Sequence, residues 1–247
     1  MRKIAGYILS IIYYLTWGLL LVIFHVLQWI AFNIFGYKAH KRVVDSLNFF
    51  LVYSSYLLGN SVKFINKQDL PIGRPIIFVA NHQSMYDIPA MIWFLRKYHA
   101  KFISKVELTK GIPSISYNLR HGGAANIDRK DPRQSIIEIG KLGTNMKEKK
   151  WSAMIFPEGT RSKDGLVKTF QPAGVAMLLK KCPEALLVPI AINNSWKMVR
   201  YGIYPLNTFL SITWEVLPPI EPEKTPADVL ITQAETEIRK ALGQSPT

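Results

Sequence analysis

Cysteine is all but absent from this chain: Cys182 stands alone, so no internal disulfide can form and the sequence suits a reducing compartment. Acid is scarce as well, with 17 Asp+Glu against 31 Lys+Arg and a formal charge of +14, which predicts anionic partners. On charge alone, nucleic acid, a phospholipid surface and a phosphorylated substrate all qualify. From Ile4 to Tyr37 charge of either sign is missing altogether. That run exceeds the ~20 residues needed to cross a bilayer. It is also too apolar for too long to read as a cleaved signal peptide, and no small-x-small cleavage site follows it. Internal repeats and low-complexity segments are lacking too, which leaves an ordinary globular chain with ample length for a real core.

The charge-free run is bracketed by Arg2 and Lys3 before it and by Lys38, Lys41 and Arg42 after it. His25, Gln28 and Asn33 interrupt its second half, and Tyr7, Tyr13, Tyr14, Trp17 and Trp29 are residues that favour membrane interfaces. A second apolar segment, Leu47 to Leu58, follows the basic bracket. Two arrangements fit: a helix that spans the bilayer, for which the first run is long enough, or a helical pair lying in one leaflet.

After Gly59 and Asn60 the texture becomes globular, dividing the chain into residues 1–59 and 60–247. Short apolar runs at Ser61 to Ile65, Ile76 to Ala80, Ala100 to Ser104, Ala124 to Ile127, Ala153 to Phe156, Leu186 to Ile192 and Phe209 to Val216 read as strands. Helical patterns fall between them at Ile88 to Arg96, Ser114 to Arg120, Arg133 to Lys149 and Gly174 to Lys181, with Pro226 to Leu242 after the last strand. The alternation predicts an α/β fold: a mostly parallel sheet with helices on both faces.

Two stretches carry the chemistry. The first is Asn81-His82-Gln83-Ser84-Met85-Tyr86-Asp87, placed directly after a buried strand, where open α/β sheets locate their ligand sites. On one continuous helix, His82 and Asp87 would sit roughly 140° apart, so they can meet only if the chain turns between them. Pro89 is tolerated only in a first helical turn, which places the helix start near Asp87. An imidazole held by that carboxylate can act as a general base. Asp87 as a simple helix cap, with His82 as a satisfied strand-end residue, is the plainer alternative. No other His or Cys lies near enough in sequence to complete a metal-ligand set.

The second stretch is Phe156-Pro157-Glu158-Gly159-Thr160-Arg161, again directly after a strand. Gly159 permits a tight turn, and Arg161 offers a forked donor suited to phosphate. Lys105 and Arg129 stand at two further strand ends. Singly each reads as surface charge, but parallel strands point their carboxyl ends the same way, so Lys105, Arg129 and Arg161 can converge on one phosphate.

Taken together, Asn81-His82 with Asp87 resembles the NHxxxxD signature of the glycerolipid acyltransferases, and Phe156 to Arg161 resembles their FPEGTR block. Lys105-Val106-Glu107-Leu108, the segment Gly123 to Arg129 and Val188-Pro189-Ile190 match three further blocks of that family, in its order. Asn126 and Gln171-Pro172 depart from the pattern, near the expected acceptor region. The resemblance implies transfer of a fatty acyl group from an acyl-carrier protein or coenzyme A thioester to the sn-2 hydroxyl of lysophosphatidic acid, giving phosphatidic acid. In that reading His82 and Asp87 are catalytic, Lys105, Arg129 and Arg161 bind phosphate, and Glu158, Gly159 and Thr160 shape the acceptor pocket. Metal and nucleic acid are not expected to take part. The resemblance further implies an N-terminal two-helix anchor that grips one leaflet of a membrane without crossing it. The setting it implies is a bacterial inner membrane with the catalytic domain on the cytoplasmic face.

Overall fold

The computed structural model describes residues 2–223 and 225–245. A long helix α1 (Arg2–Phe35) ends at Gly36, whose φ of 78° is open to glycine at little cost, and α2 (Tyr37–Tyr53) starts directly after it. The second helix therefore begins just ahead of the basic bracket and carries it in its first turns, ten residues before the apolar segment that marks it in sequence. A Lys41–Asp45 pair at i,i+4 spacing bridges its second turn.

Among the described residues seven strands follow in one sheet: β1 (Ser61–Asn66), β2 (Ile76–Ala80), β3 (Ala100–Lys105), β4 (Ala125–Ile127), β5 (Ser152–Ile155), β6 (Leu186–Asn193) and β7 (Ser211–Val216). Their spatial order is β1-β7-β6-β2-β5-β3-β4. Every neighbouring pair is parallel except β6 and β7, so β1 and β7 run against the other five. The sheet is thus mostly parallel, with one antiparallel join. The carboxyl ends of β2, β5, β3 and β4 lie side by side along one edge.

The remaining helices are α3 (Asp87–Phe94), α4 (Ile115–His121), α5 (Pro132–Lys149), α6 (Ala173–Lys181) and α7 (Ala227–Ala241). Strand periodicity divides the core between two faces. Ile76, Phe78 and Ala80 of β2 join a cluster with Met91 of α3, Leu47 and Leu51 of α2, and Tyr13, Trp17 and Phe24 of α1. Ile77 and Val79 join the opposite cluster with α5, α6 and α7 through residues such as Leu142, Val175 and Leu230. Strands buried on both faces explain why β2 and β6 read as continuous apolar runs rather than as alternation.

Along its length α1 shows two stripes. Tyr13, Trp17, Phe24, Gln28 and Ala31 are buried against the domain, while Ile4, Ile8, Ile11, Leu15, Leu19 and Val22 are exposed. It is the one helix among the described residues that is long and apolar enough to cross a membrane.

Candidate active site

Asp87 opens α3, with Pro89 inside the first turn, and the loop from Asn81 to Tyr86 folds back so that the His82 ring meets the Asp87 carboxylate. His82 Nδ1 lies 2.9 Å from Asp87 Oδ2. The same oxygen accepts from the backbone N–H groups of Gln83 and Ser84, each at 2.8 Å. Asp87 Oδ1 accepts from the hydroxyls of Ser84 and Ser195. A fully buried carboxylate surrounded by four other donors is an acceptor at every contact, so it selects the imidazole tautomer that carries its proton on Nδ1. Nε2 is then the basic nitrogen.

The 156–162 loop holds His82 from the other side. The ring stacks on Phe156 with centroids 4.1 Å apart. The His82 backbone N–H donates to Glu158 Oε1 at 2.9 Å, and the His82 carbonyl accepts from the Ser162 N–H at 2.7 Å. The two stretches singled out in sequence are therefore one hydrogen-bonded unit. Burial pushes the Glu158 carboxyl up to about 7, against the pull of the backbone N–H groups of His82 and Lys168 and of the Lys168 charge. Glu158 Oε2 is buried and, among the described residues, has no hydrogen-bond partner. Gly159 turns at φ 68° and Thr160 stands exposed beside it.

The cations lie along the shared sheet edge. Lys105 ends β3 in register with Ile127 of β4, and Arg129 follows two residues later. Arg161 leaves the loop after β5, the strand next to β3. Desolvation lowers the Arg129 pKa and the neighbouring charge of Arg161 lowers it further, while Glu107 opposes both; the two guanidiniums share one field. Lys105, Arg129 and Arg161 are all exposed. Lys105 lies on the same edge through its register with Ile127.

Several supporting contacts have no signal in the sequence. Ser195 reaches Asp87 from 108 positions away, and Asn81 clamps β2 to β6 by donating to the Ile192 carbonyl at 2.9 Å and accepting from the Ile192 N–H at 2.8 Å. Lys168 donates to the Arg161 carbonyl at 2.9 Å and adds a further cation to this edge. Asn126, one of the departures from the family pattern, donates to the Leu119 carbonyl at 2.7 Å and so ties β4 to α4.

A cavity of about 230 Å³ runs between α1, α2, α3 and β3, with Met85 and Ile88 in its lining. Trp17, Leu47, Leu51, Ile92 and Phe102 form its apolar walls. Lys101 also lines it, with its pKa pushed down to about 7 by burial and by the charge of Lys41, and it donates to the Tyr37 hydroxyl.

A histidine–carboxylate pair at the carboxyl end of a parallel strand, with cations along the same sheet edge and an apolar cavity lined by Met85 and Ile88, is the arrangement that a positioned general base requires. A model of the Acyltransferase family matches residues 61–193, and the chain belongs to that family. It is 30% identical over 168 residues to the chloroplastic 1-acyl-sn-glycerol-3-phosphate acyltransferase LPAT1 of Arabidopsis thaliana, a match covering 68% of this chain and 45% of that protein. It is 27% identical over 198 residues to the 1-acyl-sn-glycerol-3-phosphate acyltransferase of Saccharomyces cerevisiae, covering 77% of this chain and 63% of that one. The chain thus spans from under half to under two thirds of the length of these relatives. The crystal structure of the 1-acyl-sn-glycerophosphate acyltransferase PlsC of Thermotoga maritima shares the fold, with a TM-score of 0.80, 22% identity, and coverage of 98% of this chain and 97% of that one.

Proposed function

We propose that this protein transfers a fatty acyl group from a thioester donor, acyl-carrier protein or coenzyme A, to the sn-2 hydroxyl of 1-acyl-sn-glycerol-3-phosphate, yielding phosphatidic acid. The observation that carries the reading is the 2.9 Å contact between His82 Nδ1 and a saturated, buried Asp87. His82 Nε2 takes the proton of the sn-2 hydroxyl as its oxygen attacks the thioester carbonyl. The tetrahedral adduct collapses with cleavage of the C–S bond, and the departing thiolate takes the proton back from Nε2. A thioester is already activated, so this chemistry requires only a positioned base and a place for the chains.

In this reading Lys105, Arg129 and Arg161 hold the acceptor's phosphate, and Glu158, Gly159 and Thr160 shape the acceptor pocket. The apolar cavity that Met85 helps to line receives an acyl chain. The names of the Arabidopsis and yeast relatives support the acceptor assignment. α1, with α2, acts as a one-leaflet anchor at a membrane: its buried stripe fastens it to the catalytic domain along its length, which suits a helix lying in the interface. The cytoplasmic face of a bacterial inner membrane is the proposed location.

The test is release of free thiol from an acyl thioester by the purified protein in detergent, with a panel of acceptors. Release that depends on lysophosphatidic acid and exceeds that with glycerol 3-phosphate or other lysophospholipids supports the assignment. Equal release without any acceptor would leave a thioesterase instead.

A further inference from the structure

The loop after β6 is attached to α1 rather than free. Leu206 N–H donates to Ser10 Oγ at 2.8 Å, the Tyr204 hydroxyl donates to the Tyr7 carbonyl at 3.1 Å, and the Tyr14 hydroxyl donates to the Ile203 carbonyl. The Tyr7 and Tyr204 rings meet edge to face at 5.5 Å, and Lys3 sits over the Tyr201 ring. A side chain at Gly6 would strike the Leu206 carbonyl at 2.6 Å, so the loop backbone lies flat on the helix. The α1 residues it covers, 3, 6, 7, 10 and 14, follow helical spacing. They lie about 100° round the axis from the exposed stripe of Ile4, Ile8, Ile11 and Leu15. At its far end the loop is tied to the 3-10 turn Ser54–Leu58 that follows α2, where Phe209 N–H donates to the Leu58 carbonyl.

What this attached loop shows to solvent is apolar. Ile203 is 81% exposed, and Tyr201, Tyr204 and Phe209 are exposed around it, as are Tyr56 and Leu57 on the neighbouring turn. Solvent alone gives no reason to raise an isoleucine this far out. From Ala185 to Trp214 there is no Asp or Glu, while Lys197 and Arg200 flank the tip. Tyrosines with an apolar body and a polar hydroxyl, isoleucine at the apex and cations without acids form the composition of a surface that meets anionic lipid.

We infer that residues 200–209 form a third membrane-contact element, entering the same lipid surface as α1 and fixing the roll of the catalytic domain about that helix. The inference rests on the interfacial anchor proposed above and adds a contact outside both N-terminal helices.

Cys182 is fully buried, and burial pushes its thiol up to about 11, so a single introduced cysteine can be labelled selectively. An environment-sensitive fluorophore is placed by Ile203→Cys, by Ile8→Cys on the α1 stripe, and by Lys141→Cys on the exposed side of α5. The full chain is reconstituted on vesicles of phosphatidylcholine with a minor share of phosphatidylglycerol, whose acyl chains carry bromine. The probes at 203 and at 8 are expected to shift to the blue and lose fluorescence to bromine, while the probe at 141 stays accessible to aqueous iodide. A probe at 203 that behaves like the one at 141, while the probe at 8 lies in lipid, overturns the inference and leaves the anchor intact. Probes at both 8 and 203 in water overturn the anchor reading itself. A shift at 203 that grows with protein concentration without vesicles points to a second copy as the occupant, and also overturns the inference.

Discussion

At the scale of single residues, Asp87 is more than a cap. Its two oxygens take donors from His82, Gln83, Ser84 and Ser195, so exchange for an amide both turns donors against N–H groups and releases the imidazole tautomer. Asp87→Asn is expected to lower kcat by about 10² or more, with the acceptor KM little changed, as for other bases that lose their orienting carboxylate. Steady-state kinetics on both substrates measure the split. Glu158 makes a separate prediction. Its carboxyl rises from an ordinary 4.5 to about 7 in the folded protein, so the folded state holds a proton that the unfolded chain releases. This contribution to stability is fully present below about pH 4.5 and is lost as pH rises towards 7. Melting curves at intervals between those values should show Glu158→Gln removing that part of the decline. An unchanged pH slope in the variant would mean that Glu158 is ionised throughout.

At the scale of elements, the alignment of four parallel strands makes a separable claim. Arg129 and Arg161 leave the ends of β4 and β5, the two strands that flank β3, and influence one another. If they bind the acceptor's phosphate, Arg129→Ala and Arg161→Ala should each raise the acceptor KM about tenfold or more, with a smaller effect on kcat, and the losses should diminish for an acceptor without phosphate. α1 makes another claim. Trp17 is buried against Tyr86 and donates to Ser54 Oγ at 2.9 Å, joining the first helix to the loop that follows α2 and to the residue before Asp87. Trp17→Ala should cost about 3–5 kcal/mol, read by chemical denaturation in detergent, because it opens a hole where three elements meet.

The elements also show what a linear reading can and cannot reach. β2 and β6 announced themselves because strands buried on both faces are unbroken apolar runs, and Pro89 located the start of α3 because proline has few places in a helix. His82 with Asp87 and the Phe156 to Arg161 stretch were legible because each lies within a few residues of a strand end. Ser195, Lys168 and the Asn81 clamp were not, since their contacts join chain positions that nothing local relates. The start of α2 was hidden by its basic residues, which look like a break in an apolar pattern but sit in continuous helix after the single turn at Gly36. Strand alternation likewise gave no warning that β7 and β1 would reverse, because antiparallel and parallel partners can bury the same side chains.

At the scale of the whole molecule, a chain of charge +14 places apolar side chains along one helix and an adjoining loop, and cations along the carboxyl edge of its sheet. The proposed acceptor is itself an anionic amphiphile, so a surface that held the protein at a bilayer, as proposed, would also draw on the substrate's own reservoir. Binding to vesicles should strengthen with their anionic lipid content and weaken as salt is added, without vanishing at high salt, because the exposed stripe of α1 contributes an apolar term that salt does not screen. Co-sedimentation across both series checks this. Binding abolished by salt alone would reduce the anchor to electrostatics.

The most direct test of the central claim is acceptor-dependent acyl transfer by His82→Ala, compared with the unaltered protein after both have been shown to melt in the same range. Phosphatidic acid formation from an acyl thioester and lysophosphatidic acid is expected to fall by about 10³ or more, because the lost imidazole is the one that the buried Asp87 carboxylate orients. Turnover near that of the unaltered protein would contradict it.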